Sequence, residues 1–185
     1  MGLFLNVLIV PDRDKATVKN CLDQKGDLPG WELKPSECQY KDDSTGTMVL
    51  LNDWCSGYAD IPKDISQELH STALLCYIYD GDFWGYFLYQ NGMELDRFTP
   101  MPSYFEEISE DERQRCAGSS QVLAQCFQIP VERVERYLQE WTDEILESDQ
   151  EVYAYEGDES PAGQDWQMTD FMNALGFPYP EAWDV

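Results

Sequence analysis

Three aspartates near the middle of the chain have the residue type and spacing that could hold a metal ion. Asp80 and Asp82 flank a glycine, and Asp96 follows on a neighbouring predicted strand. Because carboxylate oxygens are preferred ligands of Mg²⁺ and Ca²⁺, one hypothesis is a divalent-metal-dependent enzyme that uses these three residues. The same residues are typical of tight turns, since aspartate and glycine tolerate left-handed backbone, and we favour that interpretation.

Nucleophilic catalysis has little support in this sequence. A serine or cysteine nucleophile needs a base within hydrogen-bond reach, and His70 is the only histidine of the chain. It lies beside Ser71 at the end of a predicted helix, where an imidazole is typical of a plain surface residue. We therefore assign no catalytic residue, expect no cofactor and favour a protein without enzymatic activity.

The charge of the chain restricts its partners. Lys and Arg number 12 against 36 Asp and Glu, which gives a formal net charge of -24. Such a chain repels nucleic acid and anionic membranes and attracts basic protein surfaces. With 43% hydrophobic and 14% aromatic residues in a length of 185, we expect one folded acidic domain over residues 1–185.

The N-terminal apolar run from Leu3 to Val10 is too short to span a membrane. Charged residues follow it in place of a cleavage site, so it predicts a buried strand and a cytoplasmic protein. Six cysteines without an export signal are expected to be reduced thiols.

The best-determined secondary structure is a three-stranded meander. Ala73 to Tyr79, Phe83 to Tyr89 and Met93 to Phe98 are apolar or aromatic runs separated by Asp-Gly-Asp and Asn-Gly turns. Asn-Gly is a strong hairpin signal because both residues accept positive φ. The sequence therefore predicts an α+β fold, in which an antiparallel sheet contains this meander at about 73–98.

Helical signals surround the meander and dominate the C-terminal half. Asp12 or Asp14 can cap a helix, and Pro130 can open another that carries apolar residues as far as Trp141. We expect helices mainly from the C-terminal half to cover the sheet. Residues 149–164 are polar, acidic and rich in turn formers, so they predict a mobile acidic loop.

Aromatic residues beside carboxylates are the candidates for a binding surface. Trp84 and Tyr86 form a row at period two on the middle strand of the meander, which is typical of a packed core and also of an open interface. Gly85, on the opposite row, leaves a gap that a helix or a partner could approach. The candidate binding residues are Trp84, Tyr86, Tyr153, Tyr155, Asp158, Glu159 and Trp166.

The segment from Asp80 to Phe105 resembles a pattern in uncharacterised bacterial proteins. The likeness consists of the Asp-x-Asp turn, a strand ending in Leu-Tyr, a glycine turn, an Asp-x-Phe strand and the element Pro102-Ser103-Tyr104-Phe105. It implies a bacterial cytosolic source and brings no established activity. In acidity, size and mixed secondary structure the chain is also similar to bacterial immunity proteins that neutralise toxins.

These observations give a preferred function and two alternatives. We expect a non-enzymatic, immunity-like or inhibitor-like protein that engages a basic protein partner through carboxylates and aromatic rings. The first alternative is the metal-dependent enzyme that uses Asp80, Asp82 and Asp96. The second is a structural subunit that associates with copies of itself through the face of its sheet.

Overall fold

The computed structural model describes residues 2–26, 32–52 and 57–184. Within these ranges the chain forms one open antiparallel sheet of six strands together with six α-helices, which confirms the α+β class. The strands are β1 (Leu5–Pro11), β2 (Gln39–Asp43), β3 (Gly46–Leu50), β4 (Thr72–Tyr79), β5 (Phe83–Gln90) and β6 (Met93–Phe98). The helices are α1 (Lys15–Lys25), α2 (Ile61–Glu68), α3 (Glu110–Arg115), α4 (Ser120–Phe127), α5 (Asp143–Leu146) and α6 (Gln167–Ala174).

The sheet has the strand order β2-β3-β1-β4-β5-β6, and all neighbouring strands are antiparallel. The apolar N-terminal run forms β1, as expected. It lies inside the sheet, where Leu8 faces Val49 of β3 on one side and Leu75 of β4 on the other. An inner strand of this kind must be apolar on both faces, which explains the continuous hydrophobic run.

The predicted meander is confirmed as β4, β5 and β6. Its first turn has Asp80 at φ 52° and Gly81 at φ 74°, and its second has Asn91 at φ 51° and Gly92 at φ 81°. These positive φ angles are the backbone conformation that Asp, Asn and Gly tolerate best. Local turn chemistry therefore sets the register of this half of the sheet.

The C-terminal half of the chain covers one face of the sheet. Trp84, Tyr86 and Leu88 of β5 point to this face, where Phe171 of α6 and Leu123 of α4 pack against the same cluster. All five side chains are fully buried. The expectation that helices from the C-terminal half cover the sheet therefore holds for this face.

Helices from the N-terminal half cover the opposite face. Val18 and Leu22 of α1 and Ile65 of α2 pack against the alternate residues of the strands, such as Leu8 and Leu75. The N-cap of α1 is Asp14, whose Oδ1 accepts a hydrogen bond from the Thr17 N–H at 2.8 Å. Successive side chains of a strand point to opposite faces of the sheet, so they pack against different halves of the chain.

The helix expected from Pro130 to Trp141 is replaced by two short 3₁₀ turns, Val131–Arg133 and Glu135–Tyr137. Between them Val134 leaves helical backbone at φ -126°. The Trp141 N–H donates to the Pro100 carbonyl at 2.8 Å, so a contact with a distant segment replaces a helical hydrogen bond. Val134 and Trp141 are nevertheless buried, as their apolar spacing indicated.

The gap expected beside Gly85 is filled by the protein itself. A Cβ at this position would lie 2.5 Å from the Phe98 carbonyl oxygen and 2.5 Å from the Tyr77 hydroxyl. Glycine is therefore required here by close packing within the meander, and the prediction of an approach by a partner is wrong.

None of the helices within the described ranges is long and apolar enough to cross a membrane.

We predict that Gly85→Ala lowers the free energy of unfolding by about 1–3 kcal/mol, because the added methyl group must displace the backbone of β6. Urea unfolding followed by far-UV circular dichroism measures this change. Gln90→Ala, at an exposed position of the same strand, is the control and should change stability by about 0.5 kcal/mol or less. Equal unfolding midpoints for Gly85→Ala and wild type would contradict the packing assigned to Gly85.

Candidate binding surface

Two of the aromatic candidates lie inside the core. Trp84 and Tyr86 are both 0% exposed. Trp84 packs on Phe98 and Phe171, and Tyr86 stacks on Phe171 with the ring planes 3° apart. The prediction that these two residues bind a partner is therefore wrong, because the C-terminal half of the chain already occupies their face of the sheet.

The three aspartates of the metal hypothesis do not meet. Asp80 and Asp82 lie in the turn before β5, whereas Asp96 pairs with Leu88, six residues beyond Asp82 along that strand. At about 3.4 Å per residue this places Asp96 roughly 20 Å from the turn. Among the described residues no group of three His, Cys, Asp or Glu side chains could hold a metal ion. The metal site of Asp80, Asp82 and Asp96 is therefore wrong.

Asp96 instead joins β6 to the segment that precedes α4. Its Oδ2 accepts a hydrogen bond from the Tyr86 hydroxyl at 2.6 Å and another from the Ser119 N–H at 2.8 Å. Burial raises the pKa of the Asp96 carboxyl, and these two hydrogen bonds act in the opposite direction. Burial, together with the charge of Asp96, raises the pKa of Tyr86 well above its ordinary value, so the tyrosine remains a hydrogen-bond donor.

His70 is exposed in the left-handed backbone that follows α2, at φ 46°. Its carbonyl oxygen accepts a hydrogen bond from the Arg13 guanidinium at 3.4 Å. This position agrees with the surface role expected for the imidazole.

Tyr155 and Asp158 stabilise the acidic segment 149–164. The Asp158 carboxylate accepts hydrogen bonds from the Tyr137 hydroxyl at 2.8 Å and from the Tyr155 N–H at 2.9 Å. The Tyr155 ring contacts Tyr137 at 5.2 Å between centroids, and Arg136 lies over it at 5.2 Å. Both residues are thus engaged within the chain, which leaves little of either for a partner.

Glu159 lies in the same segment, with its side chain exposed. The Glu159 and Ser160 N–H groups donate to the carboxylate of Asp170, at 3.1 Å and 2.8 Å to Oδ2. The segment has no helix or strand of its own, but these hydrogen bonds tie it to α6. The expected mobility of residues 149–164 stays a prediction that hydrogen exchange can test.

Tyr153 is 42% exposed, and its hydroxyl donates to Glu151.

A cluster of aromatic rings surrounds the turn between β4 and β5. Tyr79 contacts Phe4 at 5.1 Å, Phe105 at 5.1 Å and Tyr104 at 6.0 Å between centroids. Tyr104 also packs on Phe83 at 4.9 Å. Phe105 is 70% exposed and Tyr104 is 37% exposed, so the outer rings of the cluster face solvent while the inner rings hold them in place.

Carboxylates border these rings. The Tyr104 hydroxyl donates a hydrogen bond to Asp82 Oδ2, and this bond raises the pKa of Tyr104 to about 12. Asp80 accepts a hydrogen bond from the Gly2 N–H at 2.9 Å. The turn that suggested a metal site therefore uses its aspartates to position neighbouring segments, while their negative charge stays at the surface.

The start of α6 extends this surface. Gln167 Oε1 accepts a hydrogen bond from the Trp84 indole N–H at 3.3 Å, which holds the preceding residues near the beginning of β5. Burial raises the pKa of Asp165, and the charge of Asp82 makes a smaller contribution in the same direction, so the two carboxylates lie within electrostatic range of each other. Trp166 is 42% exposed and packs edge-on against Tyr179.

Together these residues form what we name the turn-end surface: Asp82, Tyr104, Phe105, Asp165 and Trp166. Of its members, only Trp166 was among the binding residues chosen from the sequence, whereas Asp82 was chosen as a metal ligand. The signal that could have found Tyr104 and Phe105 is their position after the Pro-x-Pro segment at 100–102, where no helical or strand periodicity explains two adjacent aromatic residues.

Comparison of the chain with protein-family models, with curated proteins and with solved structures gives no match in any of the three.

We predict that the stability difference between Asp96→Asn and wild type depends on pH. Because the folded-state pKa of Asp96 is raised above its ordinary value of 3.8, the folded protein binds this proton more tightly than the unfolded chain does. Ionisation of Asp96 must then lower wild-type stability as pH rises above 3.8 and through the folded-state pKa. The unfolding free energy of the variant minus that of wild type should increase between about pH 4 and about pH 7.

Urea unfolding at a series of pH values measures this difference. Glu107→Gln removes a carboxylate at an exposed position and serves as the control for the loss of one charge. If the unfolding free energy of Asp96→Asn minus that of wild type does not change with pH, or decreases as pH rises, burial does not control the pKa of this carboxyl.

Proposed function

We propose that this chain is a non-enzymatic acidic module that binds a basic protein through the turn-end surface. The observation that carries the proposal is the solvent exposure of two aromatic side chains, Phe105 at 70% and Trp166 at 42%. Phe105 packs on Tyr104, whose hydroxyl donates to Asp82. Asp165 directly precedes Trp166 in the chain. Among the described residues, no Lys or Arg forms an ion pair with either carboxylate.

Cationic side chains on aromatic rings occur elsewhere in the same chain, which supports this choice of partner. Arg97 lies 5.9 Å from the centroid of Phe87, Arg136 5.2 Å from Tyr155, and Lys19 5.4 Å from Tyr40. No such cation is found over Phe105 or Trp166 in the described part of the chain. A guanidinium from a partner could stack on these rings and pair with the adjacent carboxylates.

Two physical effects would contribute to binding, one to the rate of association and the other to the rate of dissociation. The net charge of -24 attracts a basic protein from a distance and raises the rate of encounter. Burial of the exposed rings then slows dissociation, since aromatic anchors contribute most to the energy of interfaces. The most concrete role is that of an immunity or inhibitor protein, and a bacterial cytoplasmic setting, which suits the free cysteines, belongs to this proposal.

A defined arginine peptide tests the location and chemistry of the surface. We expect an acetylated, amidated peptide of alternating arginine and glycine to shift the backbone amide resonances of the turn-end surface in a ¹⁵N-labelled sample. Trp166→Ala should weaken the binding of this peptide about two- to fivefold, the effect of one exposed cation–π contact. Raising ionic strength from about 0.05 M to about 0.5 M should weaken it further, because salt screens the attraction.

Tyr153→Ala is a matched control, because Tyr153 and Trp166 are both 42% exposed. Tyr153 was a binding candidate from the sequence, but its hydroxyl bonds Glu151 and no described ring contact or hydrogen bond joins it to the turn-end surface. We expect Tyr153→Ala to leave the affinity unchanged. An equal loss of affinity in the two variants, or amide shifts spread over all acidic surfaces, would overturn the proposal.

One observation favours self-association as a second candidate function. Strand β6 lies at the end of the sheet, and its Met93 and Leu95 are 66% and 37% exposed. Copies of the chain could pair along the first part of this edge, since Phe98 at its end already bridges Ala117, but a charge of -24 on each copy opposes their approach.

We predict that any dimer formed through β6 strengthens as salt is added, because screening weakens the repulsion between copies. Light scattering at several salt concentrations measures the mass. Met93→Lys should abolish the increase, since it replaces the most exposed apolar side chain of the edge with a charge. A monomeric mass at every salt concentration would remove this candidate.

A further inference from the structure

The other end of the sheet, β2, is paired with a short piece of the C-terminal segment. The Tyr40 N–H donates to the Asp184 carbonyl at 3.1 Å, and the Asp184 N–H donates to the Tyr40 carbonyl at 2.8 Å. These two reciprocal bonds form an isolated antiparallel bridge. The edge of β2 thus already accepts an extended segment by strand addition.

Lysine side chains around the bridge favour an acidic side chain on the residue that pairs with Tyr40. The Asp184 carboxylate lies 3.8 Å from the Lys15 Nζ and 3.8 Å from the Lys41 Nζ. Lys15 and Lys19 lie over the Tyr40 ring, at 5.7 Å and 5.4 Å from its centroid. A chain with only 12 basic residues therefore gathers three lysines around the bridge between Tyr40 and Asp184.

The bridge uses only part of the edge. In an antiparallel ladder, the N–H and C=O groups of every second residue point to the same side of the strand. Those of Asp42 therefore point outward, like those of Tyr40, and no described backbone group bonds them. A longer extended segment could pair with both residues.

The contact within the chain is weak enough to be displaced. The contact that Asp184 itself makes consists of one bridge and two ion pairs between partly exposed side chains, and exposed ion pairs contribute little to stability. The preceding Trp183 packs on Tyr179 and against the core, so it anchors the segment while Asp184 leaves the edge. In the register set by Tyr40 and Asp184 the residue opposite Asp42 would be Ala182, and no described backbone hydrogen bond joins the two, so the ladder does not continue.

We propose that the edge of β2 is a strand-addition site for an acidic extended segment of a partner, and that Asp184 occupies the site when the partner is absent. The seated Asp184 shows the chemistry that the edge accepts, and Lys15 and Lys41 supply the complementary charge. This site is separate from the turn-end surface and selects a partner segment of the opposite charge.

The full chain, labelled with ¹⁵N, tests this proposal with an acetylated, amidated seven-residue peptide of alternating valine and aspartate. We expect amide shifts at Tyr40 and Asp42, and the Asp42 N–H should become protected from hydrogen exchange because it gains a partner. A peptide of alternating valine and lysine should not bind there. Binding of the acidic peptide should strengthen with moderate salt, since screening reduces its repulsion by the rest of the protein.

Asp184→Lys weakens the internal contact by placing a third cation beside Lys15 and Lys41. It should tighten binding of the acidic peptide about two- to fivefold, the change expected when an exposed ion pair no longer competes. Lys15→Glu/Lys41→Glu should lose the peptide. Unchanged amide resonances at Tyr104 and Phe105 in both variants would show that the fold is retained.

Three results would overturn the proposal: an Asp42 N–H that gains no protection, a lysine peptide that binds equally well, or shifts confined to the turn-end surface. A fourth is protection of the Asp42 N–H that rises with protein concentration in the absence of peptide. That result would assign the edge of β2 to a second copy of the chain.

Discussion

The stacking of Phe171 on Tyr86 is the contact on which the arrangement of the C-terminal half depends. Their ring centroids are 5.5 Å apart with an interplanar angle of 3°, and Trp84 packs on Phe171 at 4.9 Å. All three side chains are fully buried. With 36 acidic residues and 12 basic ones, ion pairs cannot offset the repulsion within the chain, so apolar contacts of this kind must hold the acidic half on the sheet.

This packing also decides which residues reach the surface near the β4–β5 turn. Phe171 fixes α6 against β5, and the hydrogen bond from Trp84 to Gln167 fixes the start of the helix. Trp166 must then lie beside the turn, where Asp82 stands one residue before β5. A buried aromatic contact therefore positions an exposed aromatic residue that is distant from the turn in sequence.

The parts of the fold that could be predicted from the sequence are those set by neighbouring residues. The Asn91-Gly92 turn and the cap of α1 depend on the backbone preferences of a few residues. The turn is found where expected, and the cap is Asp14, one of the two aspartates predicted. The helix predicted after Pro130 does not form, because the Trp141 N–H bonds to the Pro100 carbonyl. No local pattern in the sequence reveals that partner.

The candidate site was harder to predict than the fold, because exposure depends on which segment covers which face. Trp84 and Trp166 are the same residue type, yet one is 0% exposed and the other 42%. The period-two pattern placed Trp84 on one face of the sheet, but it did not show whether another segment of the chain covers that face. The three aspartates likewise looked related in sequence, whereas the register of β5 with β6 separates them.

The strand order explains how one small acidic protein could hold two surfaces of opposite preference. Strand β2 and strand β5 are separated by β3, β1 and β4, so four spacings of about 4.8 Å place them about 19 Å apart. The Debye length at physiological ionic strength is about 8 Å, so charge at one surface is largely screened at the other. A cationic group bound near Asp82 would therefore leave the lysines around Asp184 almost unaffected. The hydrogen-bonded sheet keeps the two surfaces apart, because shortening that distance would require breaking strand pairs inside the core.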